Sequence, residues 1–217
     1  MFPRLATTYA QTFAHDEFLV EFDEVFSGKA DTDAGRQDLA TLAVALKPLS
    51  TWHAIDTLQE AREACGGAGY MAANRLTGLR ADLDIFTPFE GFNNVLLQLV
   101  AKRLLTDYSF KFAKADAGAL ARYVVAQAAD RAYHGSGLRR LTQTMVDFGS
   151  TARSVGQLRD VGVQRALLTD RVETMIVEIA GRLRSANKLP KDEAAALFNA
   201  NQNELIEVAM AHAELLQ

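Results

Sequence analysis

Apolar residues recur at helical spacing along nearly the whole chain. In the first segment they fall at Phe2, Leu5, Ala6, Tyr9, Phe13, Phe18, Phe22, Val25 and Phe26. Steps of three, four and five predict one helix over 2–26 with these residues on one face. Ser27-Gly28-Lys29 ends it, and 31–35 is a polar turn. A second run over about 36–65 carries Leu39, Leu42, Leu46, Leu49, Trp52 or His53, Ile55 and Leu58. Pro48 inside this run predicts a kink or local break. Gly66-Gly67-Ala68-Gly69 stops the helix. Residues 70–91 read as loop with a short helix over 76–82. From Phe92 or Asn93 to about Tyr108 the apolar positions cover most sides, which predicts a helix buried inside a bundle.

The second half is helical too. Runs are expected over 120–133, 138–148 and 158–183, with a last helix carrying Ala194, Leu197, Phe198, Leu205, Val208, His212 and Leu215. Residues 111–118 read as the connection between two halves. The expected architecture is all-α, two packed helical bundles over 1–110 and 111–217. Composition agrees: 14 glycines and 4 prolines in 217 residues are few for a fold built on many turns.

Charge and cysteine content narrow the partners. Lys and Arg total 23 against 27 Asp and Glu, a net charge of −4. No global positive field is present for a polyphosphate backbone, so nucleic acid is not an expected partner. No stretch of about 20 apolar residues predicts a membrane span. The N-terminal residues lack a secretory signal pattern, and Glu-Leu-Leu-Gln at the end is not a Ser-Lys-Leu address. The single cysteine, Cys65, excludes an intrachain disulfide and fits a reducing, cytoplasmic setting. His15, His53, His134 and His212 show no metal-ligand spacing, so no metal site is expected. His53 and His212 fit hydrogen-bonded positions at helix contacts.

Two features could carry chemistry. Gly66, Gly67 and Gly69 permit close approach of backbone to a bulky anionic group, or they simply stop a helix. Glu90 follows Phe86, Pro88 and Phe89 and precedes Phe92. A carboxylate in such apolar company is expected to have a raised pKa, which suits proton abstraction. The alternative is an exposed Glu at the first turn of the next helix, favourable to the helix dipole.

Glu-Ala-Arg-Glu-Ala-Cys-Gly-Gly-Ala-Gly-Tyr at 60–70, Asn-Arg-Leu-x-Gly-Leu-Arg-Ala-Asp-x-Asp at 74–84 and Thr-x-Phe-Glu-Gly at 87–91 together resemble the acyl-CoA oxidases, within the acyl-CoA dehydrogenase superfamily. Phe-Asn-x-x-Gln-Asn-Glu-Leu at 198–205, with Ala211-His212, is similar to the family's last helices. The resemblance implies a flavin-dependent step of fatty acid β-oxidation that forms trans-2-enoyl-CoA from fatty acyl-CoA. It makes Glu90 the base for the α-proton, with its backbone N–H on the thioester carbonyl. Glu90 and Gly91 are then substrate-binding. Gly66, Gly67 and Gly69, with Asn94, are FAD contacts toward a neighbouring subunit, which implies a dimer or higher oligomer.

Departures from the family pattern bear on this. Glu63 stands where dehydrogenases place Gln, and Phe92 replaces the Asp of the oxidase Glu-Gly-Asp-Asn-Thr. The electron acceptor, O₂ or an electron-transfer flavoprotein, is left open by that change. Family members also carry an N-terminal helical domain and a β domain ahead of this region. The expectation is therefore a C-terminal part of a larger enzyme, completed as a homodimer or by a complementary N-terminal chain. The alternative is a non-catalytic helical assembly subunit or remnant.

Overall fold

The computed structural model describes residues 1–29, 31–113 and 160–217. All regular structure among these residues is helical. The expected runs over 120–133 and 138–148, and His134, lie outside the described residues. In chain order the helices are α1 (Phe2–Phe26), α2 (Asp33–Ala64), α3 (Leu76–Asp84), α4 (Asn93–Ala113), α5 (Val161–Leu183), α6 (Lys191–Ala200) and α7 (Gln202–Leu215). Short 3-10 turns occupy Gly66–Tyr70, Ala72–Asn74 and Arg184–Lys188.

The helix ends have local causes. Thr32 caps α2: its side chain accepts from the Gly35 N–H at 3.0 Å, satisfying one donor that the helix cannot. Asp31 pairs with Arg36 across that first turn at 2.5 Å. Gly28 leaves α1 with φ +83°, a conformation open to glycine. Of the kink or local break expected at Pro48, the break does not occur: helix α2 runs unbroken through it. Pro48 removes the donor that the Val44 carbonyl would take in a regular helix. Its ring is buried in the core, so packing holds the turn that the backbone bond cannot.

The last helix expected from the sequence is two, α6 and α7, divided at Asn201. Asn201 is buried, and its Nδ2 donates to Leu197 O at 2.8 Å while its N–H turns to Phe198 O at 3.1 Å. The side chain thus takes the carbonyl that helical continuation would use.

The chain divides into two compact units, Met1–Leu104 with Val172–Gln217, and Leu105–Arg171. In the first, α2 is the central element. It contributes Leu39, Ala45, Leu46 and Leu49 to the core, α4 contributes Leu97, Val100 and Ala101, and α7 contributes Val208, Ala209 and Ala213. In the second, Asp160 caps α5 by accepting from the Val163 N–H at 3.0 Å.

Two burial patterns differ from expectation. Helix α4 is buried along one stripe only: Val95 and Leu99 on its other side are 50% and 52% exposed. Helix α1 is turned over. Its buried residues are Gln11, Ala14 and Val25, whereas Phe2, Leu5, Tyr9, Phe13, Phe22 and Phe26 face out. The exposed rings support one another along the helix, with Phe22 and Phe26 stacked at 4.4 Å.

The α1–α2 contact is an antiparallel polar seam. The N-terminal ammonium and Arg4 meet Glu60 at 2.6 and 3.0 Å. Thr8 Oγ1 and His53 Nε2 lie 2.9 Å apart, and Ser50 Oγ and His15 Nε2 lie 3.2 Å apart. Burial lowers the His53 pKa, the Arg4 charge lowers it further, and Asp56 opposes both. The unfolded chain therefore takes up a proton here before the folded one does. That contribution is complete above the ordinary value of 6.5 and is lost as pH falls through it. Glu60, held low by the ammonium and Arg4, acts in the same direction below 4.5. Melting temperature is expected to fall between about pH 7.5 and about pH 5.5, and to fall less in His53→Gln. Calorimetry at the two pH values checks this.

Candidate functional site

The Glu90 turn is fixed from beneath by α2. After α3 the chain passes through a turn closed by the Phe89 N–H on Ile85 O at 3.0 Å and the Asn93 N–H on Thr87 O at 3.2 Å. Between these bonds Glu90 has φ +57° and Gly91 has φ +112°. A left-handed residue other than glycine costs about 1–2 kcal/mol, so Glu90 is held there by its surroundings. Gly91 could not be replaced easily: a Cβ would sit 2.8 Å from Leu96 Cδ2 in a backbone conformation that already favours glycine.

The holding group is Lys47, which sequence reading did not single out. Its Nζ donates to Thr87 O at 3.1 Å, Gly91 O at 2.8 Å and Asn93 Oδ1 at 2.7 Å. Asn93, 1% exposed, passes the contact on by donating from Nδ2 to Thr51 Oγ1 at 2.9 Å. Burial lowers the Lys47 pKa, and the Glu90 charge opposes that shift. Nothing in the local sequence marks this cluster, because two of the three acceptors are backbone carbonyls.

Glu90 itself is exposed, as are Phe86, Phe89 and Phe92 at 45%, 55% and 51%. The apolar enclosure expected from the sequence is not built by these residues: their rings line the turn without covering the carboxylate. Glu90 also stands three residues ahead of α4 rather than in its first turn. Among the described residues no protein acceptor faces the Glu90 N–H.

The glycine stretch is a second, separate place. Gly66, with φ +56°, turns the chain out of α2. Gly67 has open space where a Cβ would stand, as has Gly66. Gly69 does not: a Cβ there would lie 2.0 Å from Arg62 O, so this glycine is required by the chain's own packing. Arg62 also covers the Tyr70 ring at 4.5 Å, and Asn74 Nδ2 donates to Ala68 O at 2.7 Å. Asn94, half-buried, lies in the first turn of α4 beside the Glu90 turn rather than with the glycines.

These two places are not brought together. Lys47, which anchors Glu90, and Ala64, where α2 ends, are separated by about 25 Å at 1.5 Å per helical residue. Gly66 and Gly67 present exposed backbone with open space beside it. Gly69 is already engaged. Among the described residues no group of three or more His, Cys, Asp or Glu is gathered for a metal, and no helix is long and apolar enough to cross a membrane.

Comparison with known proteins follows the same lines. The family described as "Acyl-CoA oxidase, C-alpha1 domain" matches residues 1–105. The chain is 34% identical over 218 residues to "Acyl-coenzyme A oxidase 2, peroxisomal" of Arabidopsis thaliana, covering 99% of this chain and 29% of that protein. It is 42% identical over 107 residues to "Acyl-coenzyme A oxidase-like protein" of Mus musculus, covering 48% of this chain and 16% of that one. The chain thus spans under a third of these relatives' length. In fold it is similar to Arabidopsis thaliana acyl-CoA oxidase 1, with a TM-score of 0.73 at 23% identity over 100% of this chain and 30% of that one. It is likewise similar to acyl-CoA oxidase-1 of Caenorhabditis elegans, described in complex with FAD and ATP, with a TM-score of 0.71 at 21% identity over 100% of this chain and 30% of that one.

Proposed function

Residues 1–105 belong to the acyl-CoA oxidase family as its C-alpha1 domain, and from that premise we propose that the chain is the part of an acyl-CoA oxidase that carries the catalytic base. The observation behind this reading is the Glu90 turn: an exposed carboxylate in a left-handed conformation, held on both sides by the half-buried Lys47 ammonium. Strain retained in an exposed turn is a reason to look for a functional role, and here it coincides with the Lys47 bonds on either side.

In this reading the Glu90 carboxylate takes the α-proton of a fatty acyl-CoA thioester. Negative charge then develops on the thioester carbonyl, and the Glu90 N–H, which has no protein acceptor among the described residues, donates to it. Gly91 keeps side-chain bulk away from that carbonyl. FAD, when bound, supplies the acceptor for the β-hydride, and trans-2-enoyl-CoA is the product. Gly66 and Gly67 would lie against the FAD of a second subunit, with Asn94 near the subunit's own site and Gly69 shaping the stretch from behind. The separation of the glycines from Glu90 along α2 supports such sharing within a dimer.

Residues 111–217 are read as the family's second C-terminal helical domain, and β-oxidation as the setting. A cytoplasmic location has only the single cysteine behind it, and several relatives have peroxisomal names. The uncovered rings around Glu90 favour a second reading, a helical assembly subunit without catalysis. Anaerobic addition of a saturated acyl-CoA to the chain completed by the family's N-terminal helical and β domains and supplied with FAD separates the two. The first reading expects the flavin's visible absorption to bleach, with one enoyl-CoA formed per flavin. A protein that binds neither FAD nor acyl-CoA supports the second.

A further inference from the structure

We infer that Lys47 is a positioning residue for Glu90, setting the backbone of the Thr87–Asn93 turn so that the carboxylate and its N–H are presented together; this rests on the reading of Glu90 as the base. An ammonium group has three N–H donors, and here all three are used on this one turn. The acceptors bracket Glu90: Thr87 O lies before it, and Gly91 O and Asn93 Oδ1 lie after it. No single rotation about Glu90 can therefore release its left-handed φ without breaking a charge-assisted bond.

The ammonium is itself fixed. Asn93 is locked by Thr51 Oγ1, and Thr51 Oγ1 donates back to the Lys47 carbonyl at 3.0 Å. The result is a closed ring, Lys47 Nζ to Asn93 to Thr51 to the Lys47 backbone, seated on one turn of α2. Its members are 42 to 46 residues apart in sequence across the α2–α4 contact. Arginine cannot substitute, because its planar fork is longer and does not point three donors at one concave set of oxygens. Ordinary core packing at this position would need only an apolar side chain. A saturated ammonium aimed at two loop carbonyls instead fixes the direction of peptide planes.

The test compares Lys47→Met, Lys47→Arg and Glu90→Gln. In the 217-residue chain, amide exchange is read at Asn93, whose N–H donates to Thr87 O. Lys47→Met is expected to speed this exchange at least about 10-fold while amides of α7 keep their protection. In the FAD-containing holoenzyme, Lys47→Met is expected to lower kcat at least about 100-fold with KM changed less than about 3-fold. Lys47→Arg should recover less than a tenth of that loss. If Lys47→Met does not fold, Thr51→Val, which removes the support of Asn93 and the Thr51 Oγ1 bonds to the Lys47 and Pro48 carbonyls but keeps the ammonium, is expected to lower kcat about 10-fold. Native kcat in Lys47→Met, in an enzyme that Glu90→Gln inactivates, overturns the inference, as does unchanged Asn93 exchange. Full activity in Glu90→Gln overturns the reading of Glu90 as the base, and the exchange result still stands by itself.

Discussion

Glu90→Gln in the FAD-containing enzyme is expected to lower turnover of saturated acyl-CoA more than about 1,000-fold while leaving flavin content unchanged. The size follows from general-base catalysis, for which a positioned proton acceptor contributes about 10²- to 10⁴-fold. Glutamine keeps the volume, the left-handed backbone and the N–H, and removes only the ability to take the proton. Substrate binding through the N–H should survive, so the loss falls on kcat. A companion variant separates chemistry from strain. Glu90→Gly relieves the φ of +57° and is expected to raise the melting temperature by about 2–4 °C while abolishing turnover. Stopped-flow reduction of the flavin and calorimetry on the same preparations check both. A Glu90→Gln enzyme that still reduces its flavin at the native rate would falsify the assignment of the base.

Gly69→Ala is expected to be the most damaging single methyl group that can be added to the glycine stretch. The added Cβ meets Arg62 O at 2.0 Å and Arg62 C at 2.9 Å. Both atoms belong to the backbone of α2, so no rotamer change relieves the clash. Either the last turn of α2 unwinds or the 3-10 turn Gly66–Tyr70 moves off the helix, taking the Arg62–Tyr70 contact with it. A cost of about 3 kcal/mol or more is expected, a fall of about 6–12 °C in melting temperature for a chain of this size. Gly67→Ala is the matched control, because nothing lies within 4 Å of its added Cβ. It should change stability by less than about 0.5 kcal/mol, yet weaken FAD binding at least about 10-fold if FAD is received there. Thermal melts and flavin titrations of the pair distinguish a glycine kept for packing from one kept for a ligand.

Much of this fold is legible in the sequence because its signals are local. The apolar steps from Phe2, the Ser27-Gly28-Lys29 stop and the break at Gly66 each act within one or two helical turns, and α1 and α2 end where they predict. The Phe-Glu-Gly motif likewise marks a turn ahead of α4. What sequence could not reveal is which face of α1 is covered, because periodicity gives a face but not its direction. The polar partners on α2 settle it: Arg4 needs Glu60, and His53 needs Thr8. The division at Asn201 was hidden because an Asn inside an apolar period reads as a tolerated helical residue, unless its side chain takes the carbonyl of Leu197. Lys47 was hidden for a deeper reason. A lysine at the edge of an apolar stripe reads as a snorkelling surface residue. Only the fold brings it to two carbonyls that have no identity of their own in the sequence.

The inverted face of α1 changes how this helix tolerates substitution. In an ordinary amphipathic helix a polar replacement at an aromatic position is the costly one. Here Phe2, Tyr9 and Phe13 already meet solvent at 87%, 59% and 65% exposure, so lysine or glutamate at those places costs no more than the Tyr9–Phe13 ring contact. The intolerant positions are the unremarkable ones. Gln11 and Ala14 are buried, and Arg4 and Thr8 have partners on α2, Glu60 and His53, that would lose a hydrogen bond. A substitution profile of this segment would therefore trace the polar seam together with Ala14 and Val25, not the aromatic stripe.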